Sequence, residues 1–345
     1  MVNGKWANRF SPIYHLPFTI YHLPFMKLRI LYHGHCFDGV ASAAVFTRFY
    51  RARVNPSAEV WYTSLLHRPG QLFDEEMFDG DENAIVDFKY SQSPRLNWWF
   101  DHHQSAFLTP EDEAHFRADR SGRKFLDAER KSCTEFIADV ARTRFDFADG
   151  ELDPLVHWAH VIDGALYDSA AQCVELAAPA LQLMQVIESD PDDAFIEQII
   201  RGLVSKPLDE VALGDEVQRR FRPILARHRE TLEVIRRKAA YARGVVRFDL
   251  VDEGLEGFNK FIPYYLHPET TYSVALTRGP QRTKISVGSN PWAPRPRRHN
   301  IASICERYGG GGHAVVGAVS FQPDQVEEAR AAVREIVAEL SEGYD

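Results

Sequence analysis

Cysteine is scarce in this chain of 345 residues: Cys36, Cys133, Cys173 and Cys305 lie far apart, with no CxxC spacing. That excludes a zinc knuckle or a disulfide framework and fits a reducing, cytoplasmic setting. A positive excess is missing too. There are 40 Lys and Arg against 49 Asp and Glu, a net charge of −9, so the protein as a whole is no nucleic-acid coat and no duplex-DNA binding is expected. An anionic substrate must be drawn in by a local basic patch or by bound metal. No run approaches the roughly 20 apolar residues of a membrane span, so no membrane partner is expected. What remains is ordinary for a globular chain, 45% apolar and 26% charged, and long enough for two domains with their own cores.

The first 25 residues stand apart. Ile13–Phe18 is echoed by Ile20–Phe25, and Met26 follows at once. The segment lacks the basic start, continuous apolar stretch and small-residue cleavage site of a signal peptide. Residues 1–25 read as a poorly structured leader or as translation from a misassigned start, with a docking peptide built on the repeat as the alternative.

From Met26 onward strand and helix patterns alternate. Residues 27–33, Ala58–Leu65, Ala84–Phe88 and Leu96–Phe100 are strand-like. Gly39 to about Ala52 has helical spacing, as do residues 134–147 and 154–168, and Phe73–Asn83 is an acidic loop or short helix. Such alternation predicts βαβ units and a parallel sheet. Ala178–Ile187 and Asp193–Leu203 read as helices. A long Arg- and Glu-rich amphipathic stretch, Leu213 to about Ala242, then forms a connector in which Pro223 predicts a kink or break. Beyond Gly244, strands at 245–251, 271–277, 283–287 and 314–321 precede a C-terminal helix at 326–341. The expected architecture is α/β: a parallel-sheet domain at 26–190, a helical connector at 191–243 and a smaller α/β domain at 244–345. A cleft between the two domains is the natural place for a substrate.

Three apolar runs each end in acidic or histidine residues. Leu28–Tyr32 leads into His33-Gly34-His35-Cys36-Phe37-Asp38-Gly39, Ala84–Val86 into Asp87, and Trp98–Phe100 into Asp101-His102-His103. In an open parallel sheet the crevice lies beyond the carboxyl ends of the strands, so these tips should converge. Crowded carboxylates repel one another unless a divalent cation neutralises them, and one carboxylate can bridge two cations about 3.5–4 Å apart. Asp163, within the apolar Val161–Ala165, would be costly to bury unpaired, which a metal would explain. Downstream, Tyr308 precedes four glycines and His313. A turn stripped of side chains lets backbone N–H groups approach a phosphate or sugar, and His313 adds a directed donor. Between Arg278 and Arg298 lie six basic residues and no acid, with Trp292 as a candidate stacking surface, an arrangement suited to a nucleotide or short single strand.

Together these residues resemble the DHH phosphoesterase superfamily. The likeness rests on His33, Asp38 and Gly39, on Asp87, on Asp101-His102-His103, on Asp163, and on Gly309–His313, which is similar to the DHH-associated C-terminal domain. It covers nearly all of 26–345. It implies a Rossmann-like, manganese-dependent N-terminal domain and a substrate-binding C-terminal one. Family members include single-strand exonucleases, nano-RNA and adenosine bisphosphate phosphatases, cyclic dinucleotide phosphodiesterases, pyrophosphatases and exopolyphosphatases. The resemblance therefore implies hydrolysis of phosphate esters of nucleotides or short oligonucleotides by two-metal water activation. Phosphoanhydride hydrolysis is one alternative; a non-catalytic nucleotide-binding module with a degenerate first metal site is another.

By position, His33 and Asp87 would hold one ion, and Asp38, Asp87, His102 and Asp163 the other. His103 would contact the scissile phosphate, Asp101 would orient the histidines, and Gly310, Gly311, Gly312, His313, Arg282 and Arg298 would bind substrate. Two manganese ions are implied, with magnesium, cobalt or another metal as alternatives. One departure stands out. The family's first motif carries two aspartates, and here Cys36 or His35 occupies the earlier position. A thiolate or imidazole suits manganese less well than a carboxylate.

Overall fold

The structure, a computed structural model, describes residues 26–67, 73–255 and 257–344. The repeat-bearing segment at 1–25 lies outside them.

The first sheet is built from β1 (Lys27–His33), β2 (Glu59–Leu65), β3 (Glu82–Val86), β4 (Trp98–Asp101) and β5 (Lys124–Leu126). All its pairings are parallel, in the order β2-β1-β3-β4-β5. Parallel strands are covered on both faces, and their side chains alternate between two cores. Ile30, Tyr32, Val86, Trp98 and Phe100 face one core. Leu31, Ile85 and Trp99 face the other. Against the first face lies α1 (Phe37–Arg53), whose residues from Phe37 to Phe46 are buried without interruption. A helix apolar all round belongs in an interior, and α1 packs on the later α3 (Cys133–Phe145), α4 (Asp153–Asp163) and α7 (Asp193–Ser205). The opposite face is covered by α2 (Pro110–Ala118), opened by a Thr109–Asp112 capping box.

Short helices α5 (Ala170–Glu175) and α6 (Pro179–Ser189) lead to α7, and Lys206-Pro207 separates it from α8 (Leu208–Ala212). The Arg- and Glu-rich stretch is then a single helix, α9 (Asp215–Lys238), running through Pro223. Of the kink or break expected at Pro223, the break does not occur. Proline forfeits one hydrogen bond, but Val217 and Phe221 before it and Thr231 and Ile235 after it are buried on one side, and that packing keeps the turns together.

The second sheet has the order β10-β11-β9-β8-β7-β6. Its strands are β6 (Ala240–Ala242), β7 (Val245–Asp249), β8 (Tyr272–Arg278), β9 (Thr283–Ser289), β10 (Gly311–His313) and β11 (Val316–Phe321), with helices α10 (Ile262–Leu266), α11 (Ile301–Glu306) and α12 (Val326–Leu340). β7 and β8 are parallel and the other pairings antiparallel. The core beneath it joins Tyr272, Val274, Ile285, Val287 and Val319 to Ala329, Ile336 and Leu340 of α12. A further cluster bridges the two halves, placing Cys173 and Val174 of α5 against Phe248, Phe261, Ile262 and Tyr264. Among the described residues no helix is long and apolar enough to cross a membrane.

Candidate metal centre

The order β2-β1-β3 means that the chain leaves β1 first to one side and then to the other. That reversal opens a crevice at the carboxyl ends of β1 and β3, the usual ligand position in open α/β sheets. His33 ends β1, Asp87 follows β3, and Asp101 ends β4 with His102 and His103 directly after it. Asp38 sits in the first turn of α1 and Asp163 is the last residue of α4.

Local chemistry aims these side chains inward. Gly39 lies so close to the end of β1 that a Cβ there would collide with the carbonyl oxygen of His33, so only glycine lets α1 start at that point. Asp87 adopts a left-handed backbone, φ 57°, and its N–H donates to Phe100 O at 2.9 Å. A non-glycine residue held there costs about 1–2 kcal/mol, a strain that concentrates at functional sites.

The predicted residues meet. His102 Nε2 lies 3.3 Å from Asp87 Oδ1, 3.4 Å from Asp163 Oδ2 and 3.7 Å from Asp38 Oδ2. His33 Nδ1 is 3.2 Å from Asp87 Oδ2. Two sets of donor atoms can each close on one ion, His33–Cys36–Asp87 and Asp38–His102–Asp163, with the atoms of each set within 4.8 Å of one another; Asp87, His102 and His103 form a third. Asp38 and Asp87 are each only 1% exposed. Asp163 differs from the expectation of a carboxylate buried in mid-helix: α4 stops at it rather than at 168, and its side chain is 29% exposed. His35 belongs to none of these sets; with φ 52° it turns the chain so that Cys36 faces the centre.

The surrounding hydrogen bonds fix the donors. His102 Nδ1 donates to Arg130 O at 3.2 Å, which aims Nε2 at the carboxylates as the nitrogen a cation would take in place of its proton. Asp101 accepts from the backbone N–H of His102 (2.8 Å) and from His103 Nδ1 (2.7 Å). Asp38 accepts from the N–H groups of Cys133 (2.6 Å) and Thr134 (3.1 Å) at the start of α3.

Charge is held in tension. Burial and the neighbouring Asp87 and Asp163 push the Asp38 carboxyl well above its ordinary range. Burial works on Asp87 in the same direction, but the imidazoles of His102 and His33 overcome it and hold it at about 2. Burial would lower His102, yet Asp87, Asp38 and Asp163 together lift it to about 10. Three buried atoms in this cluster, Asp87 Oδ1, Asp101 Oδ2 and His102 Nε2, have no hydrogen-bond partner. Unpaired polar atoms are expensive in an interior. Two of the three, Asp87 Oδ1 and His102 Nε2, are donors within the candidate sets. The residues present thus fit divalent cations.

The glycine run is not an open turn. Gly311–His313 forms the edge strand β10, paired antiparallel with β11, and a Cβ on Gly312 would meet the carbonyl of Val316. Gly311 and Gly312 nevertheless line a cavity of about 410 Å³ with Phe258, Lys260 and Lys284. Phe258 and Lys260 also line a second cavity of about 420 Å³, whose far wall is Ile162, Ala165, Tyr167 and Glu188, so the glycine strand and the Asp163 end of α4 border one continuous tract of surface. Gly310 and His313 flank that wall without lining it.

Arg282 instead lines a neighbouring hollow with Gln281 and Lys284. Arg298 turns to the C-terminus, donating to Gly343 O (2.8 Å) with its guanidinium 5.3 Å from the centre of the Tyr344 ring. Trp292 is not a free stacking surface. Its indole N–H donates to Tyr167 O at 3.1 Å and its ring lies against Phe261, bracing the two halves. Sequence reasoning missed Lys260 and Glu188. The glycine and aromatics at Gly257, Phe258 and Phe261 were the available signal for Lys260; Glu188, on a helix edge, offered none.

A parallel sheet with a buried carboxylate–imidazole centre at its topological reversal defines an α/β protein of the doubly wound kind. No family model and no curated protein matches the sequence. Solved structures do. The chain is similar to the pGpG-specific phosphodiesterase PggH from Vibrio cholerae, with a TM-score of 0.64 and 18% identity over 91% of this chain and 99% of that one. It is also similar to the DHH domain of a protein described as a member of a family of ribosomal proteins, with a TM-score of 0.52 and 14% identity over 90% of this chain and 86% of that one. The fold is that of the DHH-domain proteins.

Proposed function

We propose that the protein is a metal-dependent phosphoesterase that hydrolyses phosphate esters of nucleotides or short oligonucleotides. The observation that carries this reading is the set of orphaned, buried donor atoms gathered at the sheet reversal. The likeness to a pGpG phosphodiesterase over nearly its whole length supports it.

His33 and Asp87 would hold one divalent ion; Asp38, Asp87, His102 and Asp163 would hold a second in a mainly oxygen environment suited to manganese or magnesium. When bound, the ions supply Lewis acidity and cancel the charge of the carboxylates. The rest is the work of the chain. Asp101 fixes His103, whose ring is partly exposed at the mouth of the centre, with its Nε2 outward to donate to a phosphate oxygen. The hydrogen bond that His103 Nδ1 donates to Asp101, opposed by burial, raises the His103 pKa and favours the protonated, donating form. Lys260, Lys284 and the side-chain-free strand at Gly311-Gly312 would take the remaining phosphate and sugar.

The test is manganese-dependent hydrolysis of pGpG, other dinucleotides, adenosine bisphosphate and pyrophosphate. Asp87→Asn should lower kcat/KM by about 10³-fold or more, since it serves both ions, while far-UV circular dichroism stays unchanged. Wild-type turnover in that variant would end the proposal.

A further inference from the structure

Cys36 occupies the residue before α1 and has the extended backbone of a helix N-cap, φ −131° and ψ 130°. Ser, Thr, Asp and Asn prevail at such positions because their oxygens accept helix N–H groups. The Cys36 side chain makes no capping bond. It lies instead with His33 and Asp87, its sulfur within 4.8 Å of a nitrogen of one and an oxygen of the other. Asp87 is 1% exposed and its Oδ1 has no partner. The other three cysteines, Cys133, Cys173 and Cys305, belong to none of the metal-competent clusters found among the described residues.

We propose that the His33–Cys36–Asp87 position is ligated by a thiolate and selects a softer divalent cation, of the zinc, iron or cobalt kind, than the carboxylate-dominated position beside it. This rests on the metal-dependent reading above and refines it. One nitrogen, one sulfur and one oxygen make a borderline-soft donor set; three carboxylates and an imidazole make a hard one. The two halves of the centre, sharing Asp87, therefore differ in the ion they prefer. On binding, a metal–sulfur bond forms and the thiol proton passes to solvent, so this position releases a proton as it fills.

The experiment uses the full chain, stripped with a chelator and titrated with cobalt(II) as probe. Wild type should develop a near-ultraviolet thiolate-to-cobalt charge-transfer band that saturates with a single equivalent while total binding continues to a second. Cys36→Ser should lose that band. Cys36→Asp should also lack it yet bind both ions, and its zinc-over-manganese preference should fall by about tenfold or more, the scale on which even an outer partner moves metal affinity. Thermal melts confirm that each variant is folded; should Cys36→Asp not be, the wild-type band and Cys36→Ser decide. Cobalt bound without the band, or a band that survives Cys36→Ser, overturns this inference and leaves the metal centre standing. Failure of wild type to bind cobalt at all removes both.

Discussion

Asp38 and Asp87 are equally buried and point into one centre, yet the fold treats them oppositely. Asp87 faces imidazoles and stays ionised; Asp38, beside two other carboxylates, is pushed toward its neutral form despite two N–H donors from α3. Glu188 shows the same physics away from the centre, at the wall of the cavity next to Asp163. Burial raises it from 4.5 to about 7, with Lys260 opposing and Asp163 adding to the rise. The folded state therefore binds this proton more tightly than the unfolded chain. Its contribution to stability is fully present below the unfolded value and lost as pH climbs to about 7. In paired thermal melts, the Tm of Glu188→Gln minus that of wild type should grow between pH 4.5 and 7 and then level off. A difference independent of pH would refute this account of the cavity wall.

At the scale of elements, the start of α1 depends on one missing methyl group. Gly39→Ala forces a side chain into the carbonyl of His33, and overpacking of this kind costs about 1–3 kcal/mol. Denaturant unfolding should show a loss of that size. Because the same contact sets the His33 ring, metal affinity should fall with it. The strands carrying the centre are legible in the sequence: short apolar runs that stop at His33, Asp87 and Asp101 have few other ways to fold once βαβ alternation is seen. Asp163 is legible as a donor but not as a helix end, since Gly164 directly after it was the stop signal and the apolar residues beyond obscured it. Pro223 does not break α9 because packing, which lies outside any local window, outweighs a lost hydrogen bond. The glycine run reads as a turn and is partly a strand. Freedom from side chains serves close approach equally well for a ligand and for β11, and the sequence does not distinguish them.

For the whole molecule, the negative net charge is not spread evenly. Acidic residues converge at the centre, while Lys260 borders two cavities, one of them walled by Ile162 and Ala165 on either side of Asp163 in sequence, and Lys284 borders the other. The two sheets have separate cores and are joined through α9 and a modest apolar cluster in which Trp292 reaches across to Tyr167. Trp292→Ala should remove about 2 kcal/mol, less than the roughly 3–5 typical of a fully buried site because the residue is only partly buried. Its unfolding should also split, the two halves melting at different denaturant concentrations when followed by separate probes. One cooperative transition at the wild-type midpoint would show that the bridge is dispensable.

The reversal of strand order between β1 and β3 has a consequence for ancestry. The centre it creates asks for particular letters only where a strand stops or a helix begins or ends; the long interiors of those elements need merely stay oily on the correct sides. A lineage can rewrite most of its text under such a rule and still keep the pocket, so that shape outlasts spelling.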